Sequence, residues 1–584
     1  MDISINSLKK YGNILKKPIF PLILFLYPFI GVFQGVDISD TGYTLGQFIY
    51  PDKVDKVWKI ATFLHHIVGS LMVRLPYGSY LAGINAYTTL IISGILLLCY
   101  FTLSKYIPPG IVFVGEFISA SLCWCPRVIL YNYLTYFFFT SGMLFLVCGL
   151  IKTGSEEQSV RRQGGLYLVF AGVNLGLNVM VRFPNIVETI TIVIVFVYGI
   201  WEKKKISELI KEFFCCFLGF SIGFLIPLAF ICARYGSFSY AEMIASLFSM
   251  TSSASDYTAS GMLVLILSSY AKALLNMLIL IPCLLAGIVM FYLFKGKFEL
   301  LKKLFYCAGL LLLIKYFFSR GILTANYYYY DCFFQIAMIF IIISLAVLVL
   351  DCAGIFKGKN SEKLLSLTAI FMILILPVGS NNYTYPLMNS LFFIAPVSLM
   401  TLNRALRMAG TREIAFPVKS MVFMLVLLLI MQSGIFHIRF SFKDGDDGTI
   451  RDTEVKGIEK LYGMKTTKKN AESLSSLYAA LKDMNPEGED VILFGNIPGI
   501  SYVFDMKPAI FSSWPDLDSN AAERLEESLN ELIIKNEKPL VIIRGDGTGQ
   551  THSEKKYNML LLFMDEMGYK EIYTDGEFRL YAAD

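Results

Sequence analysis

VILYNYLTYFFFTSGMLFLVCGLI, residues 128–151, contains no Asp, Glu, Lys or Arg. A helix needs about 20 mainly apolar residues to cross the hydrocarbon core of a bilayer, so this stretch reads as a membrane span. Working outward, comparable runs occur at Pro18–Val36, Tyr80–Leu103, Ile107–Cys123, Leu166–Val181, Ile186–Trp201 and Phe213–Ala233. Further runs follow at Ala273–Phe294, Leu304–Phe318, Cys332–Leu350, Leu364–Val378, Leu387–Leu402 and Val418–Phe436. The total is about thirteen spans. The composition agrees: of 584 residues, 55% are hydrophobic and 17% charged, with a mean hydropathy of +0.58. That charged fraction is too low for a wholly soluble chain. The net charge of +5 is small and dispersed, so no basic patch suits a nucleic acid. The expected fold class is a polytopic α-helical membrane protein.

Lys and Arg set the expected orientation, because short cytoplasmic loops collect them. Lys9, Lys10, Lys16 and Lys17 precede the first span and put the N-terminus in the cytoplasm. Alternation then leaves inside the loops that carry Lys152 with Arg161 and Arg162, Lys203–Lys205, Lys295 with Lys297, Lys357 with Lys359, and Arg404 with Arg407 and Arg412. An odd number of spans sends the C-terminal region outside. The first run is too long for a cleaved signal peptide and no small-residue cleavage site follows it. The expected location is therefore the plasma (inner) membrane, as a multi-pass integral protein.

Three stretches read as interfacial helices. Val57–Arg74 carries Lys59, His65, His66 and Arg74 opposite one apolar face, which suits a helix lying in the membrane surface. Ala241–Leu247 and Met262–Tyr270 are similar and flank the Ser-rich stretch Ser249–Ser255. After Phe436 the pattern changes. Lys443–Asp447 reads as a linker, followed by helices at Ala471–Met484, Ala521–Lys535 and Ser553–Met567. Strands are expected at Asp490–Phe494, Pro539–Arg544, Tyr569–Thr574 and Phe578–Ala582. The expected division is a transmembrane domain over residues 1–436 and an extracytoplasmic α/β domain over residues 437–584, large enough for its own core.

Chemistry has few places to sit. All eleven cysteines lie at or before Cys352, and the spacing Cys123-Trp124-Cys125 lacks the second pair that a zinc site needs, so they read as small buried hydrophobes. Arg544–Gly549 is Gly-rich but lacks the Walker lysine and the dinucleotide spacing, and reads as a surface turn. The loop after the first span stands out: Phe33-Gln34-Gly35-Val36-Asp37-Ile38-Ser39-Asp40-Thr41-Gly42-Tyr43. It sets two carboxylates at the membrane boundary, where desolvation is costly and acids tend to be functional or paired. Either Asp could act as a general base on a hydroxyl or hold a divalent cation; an Asp-containing turn is the structural alternative. Arg74, Arg182, Arg234, Lys272 and Arg320 are expected at outer span ends, where they could bind an anionic head group or snorkel to lipid phosphates. The run Asn326-Tyr327-Tyr328-Tyr329-Tyr330-Asp331 fits an interfacial aromatic belt or a surface that stacks on sugar rings.

This layout resembles the GT-C superfamily of membrane glycosyltransferases, in particular the bacterial protein-mannosyltransferase and aminoarabinose-transferase types. The similarity covers the cytoplasmic N-terminus, the acidic first outer loop, the interfacial helices after it, the odd span count and the outer α/β domain. The resemblance implies an inverting hexosyl or pentosyl transferase using a polyprenyl-phosphate sugar donor, with a lipid, glycan or protein acceptor. It implies that Asp37 or Asp40 is the base; Asp40-Thr41-Gly42-Tyr43 is similar to the family's acid followed by a tyrosine, which favours Asp40. Asp37-x-x-Asp40 departs from the family's adjacent or one-apart pair. A divalent cation, where the reaction uses one, would fall to the same two carboxylates. Arg182, Arg74, Arg320 and Lys272 would hold the donor phosphate, and Tyr43, His65, His66, Tyr328 and Asp331 would face the sugar or the acceptor.

A transporter or flippase of lipid-linked or small anionic substrates is the competing class, with the mid-span Glu116 as its signature. No internal repeat supports it. A polysaccharide polymerase or ligase and a non-catalytic sensor are further alternatives.

Overall fold

The computed structural model describes residues 18–252, 258–410, 412–440, 444–445, 448–482, 484, 486–518, 520–545 and 554–583. Lys9–Lys17, Ser253–Ser255, most of the Lys443–Asp447 linker and Asp546–Gly549 lie outside them. Each of the thirteen apolar runs falls on a helix. Among the described residues, eight helical stretches are long and apolar enough to cross a membrane: Leu81–Leu103, Leu130–Thr153, Gln158–Val181, Phe183–Trp201, Ile206–Tyr235, Ser260–Leu293, Phe334–Cys352 and Arg412–Arg439. Pro18–Phe29 and Pro109–Leu122 are apolar but shorter. The remaining three runs fall on Glu299–Ser319, Asn360–Ile375 and Ile394–Met408. Val57–Arg74 folds as two short helices, Lys56–Ala61 and Phe63–Met72. Met262–Tyr270 lies within the apolar stretch Ser260–Leu293.

Small residues let two of these helices touch backbone to backbone. Gln158–Val181 and Ile206–Tyr235 cross on Gly172, Gly176, Gly219 and Gly223, and a Cβ on Gly219 would stand 2.0 Å from the Val169 carbonyl oxygen. Membrane helices gain association energy from such close approach. Gly219→Ala is therefore expected to destabilise the protein by about 3 kcal/mol. Gly165→Ala, whose added Cβ meets nothing within 4 Å, is expected to be neutral or mildly stabilising. Thermal unfolding of the two variants in one lipid mixture compares them.

Past Arg439, where the last long helix ends, the chain forms a five-stranded sheet. Its order is Lys507–Pro508, Asp490–Phe494, Leu540–Arg544, Phe578–Ala583 and Tyr569–Thr574. The first three strands run parallel, and the last two add antiparallel as a hairpin. Helices Ala522–Lys535 and Glu554–Glu566 cover one face through Leu525, Leu529, Leu560 and Phe563. The other face packs on helix Lys468–Lys482 through Leu474, Leu477 and Leu481. That second core does not stop at the domain. It continues without a break into Val36, Ile38, Leu45 and Phe48 of the acidic loop and into Leu81, Leu130 and Leu134 of the bundle. The sheet therefore buries its inner face directly on the loop that carries Asp37 and Asp40.

Candidate active site

Asp37 and Asp40 sit at the turn into helix Asp40–Ile49, both partly exposed. Asp37 accepts from the Ser39 amide at 2.8 Å through Oδ1, from the Ser39 hydroxyl, and from the Thr41 amide at 3.0 Å through Oδ2. Both of its oxygens serve the first amides of the helix, which have no intrahelical partner. Asp40 is the first helical residue, where the positive end of the helix dipole favours a carboxylate. Asp37 thus builds the turn, and Asp40 opens the helix that follows it.

The segment Cys123–Ile129 closes over this loop. Asp40's charge reaches the buried Cys125 thiol, which burial pushes up to about 12 against the hydrogen bond from Asn132. Both carboxylates act on Tyr330, whose hydroxyl burial and neighbouring charge hold well above its ordinary value. Tyr330 stands edge-on to Trp124 at 4.1 Å. The buried Arg127 donates to the Pro28 and Ile30 carbonyls at 2.9 and 3.2 Å and so fixes the exit of the first helix. Among the described residues no group of three His, Cys, Asp or Glu could hold a metal ion.

Arg182 lies in a small pocket lined also by Asn132, Thr135, Asn185, Glu188 and Pro386. One guanidinium nitrogen donates to the Gly379 carbonyl at 3.0 Å, while Nε is buried without a partner. Asn185 donates to Thr135 Oγ1 at 2.8 Å and to the Asn178 carbonyl at 3.0 Å, and Asn178 in turn donates to Glu188. Asp40 does not line this pocket. Asn132, which lines the pocket, donates to Cys125 Sγ at 3.1 Å. Arg74 and Lys272 stand exposed, and exposed Arg320 lies over the Tyr316 ring at 5.5 Å.

The remaining expected residues scatter. Tyr43 turns toward the α/β domain, with its ring 5.3 Å from Trp514. Tyr328 pins its run to the chain beyond the last membrane helix, its carbonyl accepting from the Gly448 amide at 3.1 Å. Asp331 is exposed, and its carbonyl starts helix Phe334–Cys352 by accepting from Phe334. Glu116 is fully buried in helix Pro109–Leu122 with neither carboxyl oxygen partnered. Asn185, Asn132 and Arg127 were not singled out by the sequence. For Asn185 a signal existed: Asn178, Asn185 and Glu188 are polar residues at helical spacing inside apolar runs.

His65 packs against Phe48 at 4.9 Å, His66 at 5.2 Å and Tyr131 at 5.4 Å. Burial holds His65 well below the ordinary imidazole range, and it holds His66 down to about 4, with Lys59's charge adding. A histidine whose folded pKa is depressed is uncharged in the fold while the unfolded chain takes up a proton, so stability is lost as pH falls from about 6.5 toward 4. At pH 5 the His66 share is about 2 kcal/mol. His66→Gln is expected to shrink the drop in unfolding temperature between pH 7.5 and pH 5.

No family model and no curated protein matches the chain. Solved structures do. The apo oligosaccharyltransferase of Archaeoglobus fulgidus superposes with a TM-score of 0.50 at 15% identity, over 99% of this chain and 75% of that one. ArnT from Cupriavidus metallidurans, bound to undecaprenyl phosphate, gives 0.49 at 8% identity over 98% of both chains. The archaeal oligosaccharyltransferase AglB from Archaeoglobus fulgidus, in complex with an inhibitory peptide and a dolichol-phosphate, gives 0.47 at 14% over 99% and 74%. The chain shares the fold of the archaeal oligosaccharyltransferase.

Proposed function

We propose that this membrane protein is an inverting glycosyltransferase that moves a sugar from a polyprenyl-phosphate donor to an acceptor hydroxyl. The observation that carries the reading is the acidic turn at residues 37–41, where Asp37 holds the turn and Asp40 opens the helix that follows it, in a chain that shares its fold with an oligosaccharyltransferase. Asp40 takes the proton from the acceptor hydroxyl as that oxygen bonds to the anomeric carbon. The bond from that carbon to the phosphate oxygen breaks on the opposite face, and the phosphate leaves with the electron pair. Arg182 Nε, a buried donor with no partner of its own, meets the charge that develops on the leaving phosphate. The Lys/Arg pattern supports a cytoplasmic N-terminus and a reaction on the outer face of the plasma membrane.

The test is transfer of labelled sugar from a polyprenyl-phosphate donor in membranes carrying the parent, Asp37→Asn, Asp40→Asn or Arg182→Ala. Arg182→Ala is expected to lower kcat/KM for the donor by about 10²-fold. If neither aspartate variant changes transfer while both proteins stay folded, the reading fails.

A further inference from the structure

Helix Asp40–Ile49 has a second functional end. Asp40, Tyr43, Gln47 and Tyr50 recur at i, i+3, i+7 and i+10 and so share one helix face. Up that face from Asp40 lies a shallow, half-open pocket at the seam with the α/β domain, walled on the far side by Phe511, Ser512 and Asn520. Its walls alternate aromatic rings (Tyr43, Tyr50, Trp58 and Phe511) with amide and hydroxyl groups, the pairing that suits a sugar ring's apolar faces and polar rim. They are also fixed in place. Arg524 pairs with Asp55 at 2.8 Å and lies 4.8 Å over Phe511, Asp55 caps the Val57 amide at 2.8 Å, and Asn520 donates to the Trp514 carbonyl at 2.7 Å. Arg524 neutralises Asp55, and Lys53 also lines the pocket. A peptide fits less well, because the bordering sheet edge is the two-residue strand Lys507–Pro508, and proline has no N–H with which to add a further strand.

We propose that this seam pocket is an acceptor-side subsite that holds one ring of a hydroxyl-rich glycan while a neighbouring ring reaches Asp40. The inference rests on the transferase reading, but its test does not use transfer. The full-length protein in lipid nanodiscs, free of sugar-headed detergent, is titrated with soluble trisaccharides of glucose, mannose, galactose and N-acetylglucosamine. Saturation-transfer NMR and tryptophan fluorescence report binding. At least one trisaccharide is expected to bind saturably, about tenfold more weakly to Trp58→Ala and to Gln47→Ala, and equally to Asp40→Asn. Unfolding temperatures check that the variants are folded, and partly exposed Gln47 keeps the test usable should Trp58→Ala not fold. Three results overturn the proposal: no trisaccharide binds, binding survives both pocket variants, or a Ser/Thr-containing peptide occupies the pocket in place of sugar. Loss of the transferase reading would show instead as transfer indifferent to Asp40.

Discussion

Asp40→Asn is expected to reduce sugar transfer by at least about 10³-fold while leaving the protein folded, and Asp37→Asn to reduce it by less than about tenfold. General base catalysis contributes about 10²–10⁴-fold, and the amide keeps the shape of the acid but cannot take a proton. The helix takes the Asp40 carbonyl, which accepts from the Thr44 hydroxyl at 2.9 Å. Asp37 is the reverse case. Its oxygens hold the Ser39 and Thr41 amides. An Asn there keeps one acceptor and puts an N–H₂ against the other amide, which costs about 1–2 kcal/mol of stability. The signatures therefore separate. Asp40→Asn loses rate at constant unfolding temperature; Asp37→Asn loses unfolding temperature at nearly constant rate. The opposite pattern would transfer the base to Asp37.

How far the chain can be read without its fold follows from what each signal depends on. Spans depend on composition over about 20 residues, and every apolar run lands on a helix. The α/β elements follow period and turn signals of similar range, so Tyr569–Thr574 is found to the residue. The acidic loop is legible because charge at a membrane edge is unusual. Which acid is presented is less so: it turns on hydrogen bonds from Ser39 and Thr41 that compete only once the turn forms. The cations show the limit most clearly. Arg74, Arg182, Lys272 and Arg320 look alike as isolated charges next to spans, yet Arg182 lies in a pocket and the other three stand exposed. What separates them is packing from Asn132, Asn185 and Gly379, distant in sequence, and no local pattern reports that. Tyr43 differs for the same reason. Its place on the acidic helix is readable, but its partner Trp514 belongs to another domain.

The same long-range packing makes Gly42→Ala the substitution expected to do most damage for its size. The acidic helix meets the α/β domain at a glycine–glycine crossing: a Cβ on Gly42 would stand 2.2 Å from Gly499 Cα, and one on Gly499 would stand 2.6 Å from the Ile38 carbonyl oxygen. That carbonyl accepts from the Gly499 amide at 2.7 Å, so the contact is backbone on backbone and no side chain can swing aside. Around it the domain grips the loop at several points: Gly35 to Lys465 at 2.8 Å, Tyr50 to Asp505 at 2.8 Å, and Tyr502 to the Ser79 carbonyl at 2.8 Å. Burial alone would raise the Asp505 pKa, but Lys460 and Tyr50 outweigh it and hold that carboxylate below its ordinary value. One added methyl must therefore push the domain off the loop or bend the helix that starts at Asp40. Either way about 3 kcal/mol or more of stability is lost. The position of Asp40 shifts as well, and a displacement near 1 Å can cost about 10²-fold in rate. Gly46→Ala, on the same helix with Ser501 Oγ as its nearest neighbour at 3.9 Å, is expected to fold normally. Unfolding temperature and limited proteolysis of the two variants side by side decide the matter. If Gly42→Ala unfolds at the parent temperature and is cut no faster between the bundle and the α/β domain, the crossing does not hold the two together.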